Sequence, residues 1–262
     1  MKILAIISSY RKNGHTSKVV DLLKQEVESG ASKDGRFIAF GKLFLGDYEI
    51  NHCKGCRVCM ERGEQYCPLK DDVPVIKAKI DDADAVIFAS PVYVGDVSSS
   101  MKALMDRLAY VCHRPEFYDK CAIIIATTNA TSLKRTIRTL GAATYSWGFK
   151  TLGTQGFKTT TSNDSIETLK ERYEKKIRKL ARKLYSGVKK KGYLNPSVIS
   201  LAAFKLQQKG HASEKDASSV DYEYWDHKGW VNPDRHYYIE VDISPLKLLI
   251  SKVLYGIFSL VF

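Results

Sequence analysis

Two hydrophobic rhythms alternate along the chain. Residues 2–9 (KILAIISS) are a short Ile-rich apolar run; after a polar, Gly-containing loop, Val19, Val20, Leu22, Leu23 and Val27 recur at helical spacing over 16–28. Residues 83–90 (ADAVIFAS) repeat the run, and Met101, Leu104, Met105, Leu108 and Cys112 repeat the helical face. Residues 121–127 (CAIIIAT) are a further apolar strand, with 36–44 as the second strand and 149–157 as the fifth. Strands alternating with helices predict an α/β fold, a parallel sheet covered on both faces. Right-handed crossovers favour a doubly wound five-stranded sheet in the order 2-1-3-4-5. Its switch point lies between the first and third strands, so the loops leaving their carboxyl ends are expected to be functional.

The pattern changes towards the C-terminus. Leu169, Tyr173, Ile177, Leu180 and Leu184 mark one more amphipathic helix, residues 187–196 read as a linker, and 188–262 form an extension distinct from the α/β body over 1–187. Within it Tyr222, Tyr224, Trp225, Trp230, Tyr237 and Tyr238 precede a helix predicted over 245–262, opened by Pro245. Lys247 and Lys252 interrupt its apolar stripe of Leu246, Leu249, Ile250, Val253, Leu254, Ile257, Phe258 and Val261, leaving no run of the about 20 apolar residues that a bilayer span needs. This helix is expected to pack against the body or a second subunit; an anionic membrane interface is the alternative.

Composition narrows the class. With 44% hydrophobic and 27% charged residues the chain is globular rather than disordered. Its net charge of +12 suggests nucleic acid until it is located: residues 168–192 hold eleven Lys or Arg against two Glu, nine of the twelve net charges, on the outer face of one amphipathic helix. A solvated face is the expectation, and no nucleic-acid motif accompanies it. Four of the six cysteines fall within fifteen residues, too clustered for a disulfide scaffold, and no cleavable apolar leader precedes Lys2; a reducing cytoplasm is expected.

Three loops carry candidate chemistry. Residues 8–17 (SSYRKNGHTS) combine hydroxyls, one Arg, an Asn-Gly pair and a helix start at Thr16 or Ser17, the components of a phosphate cradle. Neither a Walker loop nor G-x-G-x-x-G is present there; an ordinary loop with a hydroxyl N-cap is the alternative. In 90–100 (SPVYVGDVSSS), Pro91 and Gly95 let the backbone curve round a planar ligand and aim N–H groups at it, and Tyr93 offers an aromatic face. Thr127, Thr128 and Asn129 add hydroxyls and an amide from the neighbouring strand end.

Together SSYRKNGHTS and SPVYVGDVSSSMKALMDR resemble the flavodoxin-like NAD(P)H-dependent FMN reductases and iron-sulfur flavoproteins, over about residues 1–185. The resemblance implies that Ser9, Arg11, Asn13, Thr16 and Ser17 hold the FMN phosphate, that Pro91, Val92, Tyr93 and Gly95 line the isoalloxazine, and that Thr127, Thr128 and Asn129 close its other edge. Tyr10 stands where the family usually has Pro, His15 where it has Asn, and Asn129 with Ala130 where two glycines are common.

Cys53-x2-Cys56-x2-Cys59-x7-Cys67, followed by Pro68, places four thiols on one loop before the second body helix. The run-on spacing favours a 4Fe-4S cluster, as the resemblance also implies; zinc and free thiols are the alternatives. Cys112 and Cys121 read as core residues, and His15 and His52 as polar loop residues.

The implied activity is an FMN-dependent NAD(P)H oxidoreductase, cytoplasmic and homo-oligomeric, delivering electrons to a quinone or other acceptor with no catalytic side chain. An electron-transfer module serving a ferredoxin-like partner without NAD(P)H oxidation is the alternative, and a flavin-free protein with a zinc loop and a basic face for membrane or nucleic acid is a third.

Overall fold

The computed structural model describes residues 1–161, 164–190, 195–214 and 219–259. Its centre is a parallel sheet of β1 (Lys2–Ile7), β2 (Ala39–Phe44), β3 (Ala85–Pro91), β4 (Cys121–Thr128) and β5 (Lys150–Lys158) in the order β2-β1-β3-β4-β5. Register runs unbroken from Ile3↔Ala85 to Ile7↔Ala89 and from Ala85↔Cys121 to Pro91↔Thr127. The three inner strands are thus aligned, and their carboxyl ends share one edge.

Side chains of these strands point alternately to two cores, as the period of two requires. Ile3, Ala5, Ile7, Ile87, Ile123 and Ile125 face α1 (His15–Lys33) and α6 (Ile166–Lys189). Ile6, Val86, Phe88, Ala122 and Ile124 face the other helical layer, α3 (Val73–Asp81), α4 (Ser99–Arg107) and α5 (Leu133–Ser146). Leu169, Tyr173, Ile177, Leu180 and Leu184 of α6 are buried, which turns its cations outwards. The short α2 (Val58–Glu61) lies within the cysteine loop. Cys121 is buried in the first core, and Cys112 packs partly buried against the second.

The extension supplies α7 (Val198–Ala212), α8 (Val220–His227) and α9 (Pro245–Phe258). Phe204, Trp225, Trp230 and Tyr237 form a third core, against which Tyr118 of the body packs. Trp225 Nε1 donates to the His113 carbonyl at 2.8 Å and the Tyr224 hydroxyl to the Pro115 carbonyl at 2.9 Å, so the aromatics fasten the extension to the body. One face of α9 packs on α7, with Leu248 joining the third core; Leu246, Leu249, Ile250, Val253 and Ile257 are exposed. Burial expected round most of this helix is therefore met on one side. Lys191 and Gly192 of the basic segment, the middle of the expected linker, and Val261 of the stripe lie outside the described residues.

Candidate functional site

At the carboxyl edge of the sheet a cavity of about 260 Å³ is lined by Ser9, Arg11, Thr16, Pro91, Val92, Tyr93, Thr127, Thr128 and Asn129, joined by His15, Thr159 and Thr161. All three loops singled out in the sequence meet here. Hydroxyls stitch them together: Thr16 and Thr127 share a hydrogen bond of 2.7 Å, Ser98 donates to Ser8 at 2.7 Å, and Ser90 accepts from the Ser98 amide at 3.1 Å. Ser98 also caps α4 by accepting from the Met101 amide.

The first loop differs from expectation in its cap. Helix α1 begins at His15 with Gly14 as N-cap and no side chain capping it. Gly14 is packed tightly, since a Cβ there would lie 3.1 Å from the Arg11 carbonyl oxygen. Uncapped first-turn N–H groups are a ready anion site. In the same turn the Ser17 hydroxyl is buried and has no hydrogen-bond partner among the described residues. Asn13 is exposed and, like Ser17 and Gly95, does not line the cavity.

The second loop is a tight hairpin. Tyr93 and Asp96 exchange backbone hydrogen bonds at 2.9 and 3.0 Å across Val94 and Gly95, both with positive φ (47° and 83°), the requirement of a type I′ turn. A fully exposed β-branched residue in that conformation is strained, and such strain gathers at functional loops. The amides of Val92 and Tyr93 are engaged within the protein, by the Thr127 and Asp96 carbonyls. These two N–H groups are therefore not aimed outwards as the sequence suggested, because hairpin closure and strand pairing use them; the half-exposed Tyr93 ring remains available to a ligand.

His15 and the loop after β5 were not legible as cavity residues. The His15 Nε2 accepts from the Asp164 amide at 2.9 Å, which requires the neutral Nδ1–H tautomer. Burial lowers the His15 pKa, opposed by the Asp164 charge. The Asp164 carboxylate accepts from the hydroxyls and amides of Thr160 and Thr161, led by the Thr161 hydroxyl, and lies well below the usual carboxylate range. The available signal was the hydroxyl run Thr159–Thr161 after an apolar strand.

The cysteine loop forms a second cavity, of about 580 Å³, lined by all four of Cys53, Cys56, Cys59 and Cys67 together with Met60, Leu69, Val73, Arg107 and Tyr110. Positive φ at Gly55, Arg57 and Gly63 curls the loop round it. Burial raises the Cys59 thiol pKa, and the neighbouring Cys53 and Cys67 raise it further. Buried Arg107 binds Asp71 through both terminal nitrogens, donates to the Asn51 carbonyl at 3.1 Å, and reaches Cys67 Sγ at 3.8 Å. Among the described residues no three His, Cys, Asp or Glu side chains converge on a single ion. The thiols are distributed round the cavity instead.

The five-stranded order, the helices on both faces and the cavity at the switch point define a flavodoxin-like fold. The chain belongs to the NADPH-dependent FMN reductase family, whose pattern matches residues 1–159. It is 29% identical to an iron-sulfur flavoprotein of Archaeoglobus fulgidus over 88% of this chain and 100% of that one. With an iron-sulfur flavoprotein of Clostridioides difficile it shares 31% identity over 76% of this chain and 84% of the relative. Among solved structures, RosB with a bound 8-demethyl-8-formylriboflavin-5'-phosphate intermediate has a TM-score of 0.55 at 15% identity, over 94% of this chain and 93% of that one.

Proposed function

We propose that residues 1–187 bind FMN at the sheet-edge cavity and that the chain oxidises NAD(P)H, passing electrons to a quinone or other acceptor, with 188–262 as an attached extension. The meeting of the three loops at one cavity carries this reading. Arg11, the first-turn N–H groups of α1 and the hydroxyls of Ser9 and Thr16, which line the cavity, would hold the phosphate, with Asn13 and the unpartnered Ser17 hydroxyl in the same loop and first turn able to reach it on a local shift. Pro91, Val92, Tyr93 and the Val94–Gly95 turn would border the ring, with Thr127, Thr128 and Asn129 at its far edge. Held by these residues, FMN would supply hydride acceptance and one- or two-electron release. The protein's part is placement: the hydroxyl stitches fix the loops, and Tyr93 covers part of the site.

Cys53, Cys56, Cys59 and Cys67 would hold a 4Fe-4S cluster, which supplies one-electron transfer. The four thiols on one cavity and the run-on spacing support this reading. Arg107, beside Cys67 and fixed by Asp71, offers that thiolate a cationic neighbour.

Arg11→Ala is expected to weaken FMN much more than riboflavin, by roughly 1.5–3 kcal/mol for one charged hydrogen bond, measured by flavin fluorescence quenching. Equal weakening of both ligands would move the phosphate elsewhere. Anaerobic mixing with NADH or NADPH tests the reductase step: rapid flavin bleaching supports it, and flavin that bleaches only with a reduced ferredoxin favours the electron-transfer module.

A further inference from the structure

Helix α9 presents its apolar stripe to solvent. Leu246, Leu249, Ile250, Val253 and Ile257 are each between 44% and 67% exposed and recur at the spacing that puts them on one face. The opposite face is the one that packs: Ser251 is buried and Leu248 joins the third core against α7. At 3.6 residues per turn, Lys247 and Lys252 fall about 110° to either side of the stripe, one on each flank. Further charges lie towards the packed side, the Asp234 carboxylate near Lys205 among them. Lys209 of α7 stands over the Tyr255 ring at 4.8 Å, and Lys205 lies near Lys252; on the other side Lys247 adjoins Lys150. Between Pro245 and Phe258 there is no Asp or Glu.

We propose that α9 lies in the plane of an anionic lipid surface, with its exposed stripe at the acyl boundary and its flanking lysines among the headgroups. Charge decides the occupant. Two copies of α9 face to face would bring lysine flanks together with no acidic residue of the helix to answer them, whereas an anionic headgroup layer answers both flanks at once. Lysines at the edges of an apolar stripe can lay their alkyl stems along it and keep their ammonium groups in the headgroups. Lys247 and Lys252 interrupt the apolar run, and no helix among the described residues is long and apolar enough to cross a membrane. Lys150 opens β5 and Thr159, at the sheet-edge cavity, follows it, about 30 Å along the strand.

The test is co-sedimentation of the full chain with vesicles of phosphatidylcholine alone and of phosphatidylcholine mixed with phosphatidylglycerol, alongside its molar mass by light scattering. The wild type is expected to sediment with the mixed vesicles only. Leu249→Asp combined with Val253→Asp should lower binding by about a hundredfold. Lys247→Glu combined with Lys252→Glu should lower it by at least about tenfold. All four positions are on the outside of the fold or its flank, and an unchanged far-ultraviolet circular dichroism spectrum checks that the variants fold. Three results would overturn the proposal: no binding of the wild type to mixed vesicles, binding that survives the Asp pair and so belongs to the basic face of α6, or a fall in molar mass with the Asp pair, which would show that a second copy covers the stripe.

Discussion

His15 joins the cradle to the loop after β5. As a neutral acceptor from the Asp164 amide it would lose that hydrogen bond on taking a second proton, and burial lowers its pKa below the ordinary 6.5. The sign follows from linkage: the unfolded chain binds more protons than the folded one between the lowered value and 6.5, so this contribution is present above 6.5 and fades as pH falls through that window. His15→Asn should therefore flatten the loss of stability between about pH 7 and pH 5, read as urea midpoints at the two pH values. An identical pH dependence in the variant would show that His15 does not titrate on unfolding. Ser9, Arg11 and Thr16 were legible as neighbours at one cavity because they stand close together in sequence at a strand end and helix start. His15 was not, because its partner Asp164 lies 149 residues away and a single histidine in a polar loop carries no periodic mark.

At the level of elements, the strands were readable to within a few residues, and the discrepancies have tertiary causes. The second strand starts at Ala39 rather than at residue 36, where pairing with Lys2 begins and after the exposed Phe37. Helix α1 outlasts its expected end at residue 28 and reaches Lys33, since α6 packs along it and Tyr185 and Lys189 both bind Asp34 beyond its end. The four cysteines were legible as one group, and they line one cavity, but that cavity is also lined by Arg107 and Tyr110, which the spacing of cysteines cannot reveal. Cys56→Ser tests the assignment without touching the cradle. In protein made anaerobically with ample iron it is expected to remove the broad visible absorption of the cluster and leave the flavin bands. Wild-type protein that holds zinc or no metal under those conditions would refute the cluster.

Across the whole molecule, charge and extension were the hardest features to place from sequence. Eleven cations near one another suggest a polyanion, yet α6 buries its apolar face on the sheet, and Arg178 and Lys189 meet Glu26 and Asp34 around α1. The extension reads as a separate piece, but besides its aromatic contacts a charged hub ties it to the body. Arg114 binds Asp221 of α8, Glu64 of the cysteine loop and the Cys59 carbonyl, while Asp221 also holds His113 at 2.9 Å. Asp221→Asn keeps the shape and removes the charge, leaving the guanidinium, 3% exposed, with the Glu64 carboxylate and the Cys59 carbonyl. The expected loss is roughly 1–3 kcal/mol, less than for breaking a fully isolated buried pair because Glu64 remains. Its location is the sharper expectation: amide hydrogen exchange should quicken in α8 and in residues 53–67 together, with residues 9–17 unchanged. The hydrogen bond to Asp221 raises the His113 pKa above 6.5, so the clamp is fully formed below 6.5 and its His113 part is lost as pH rises through the raised value; the variant should lose that dependence. Exchange that quickens in α8 alone would mean that the extension is held at this point without bracing the cysteine loop.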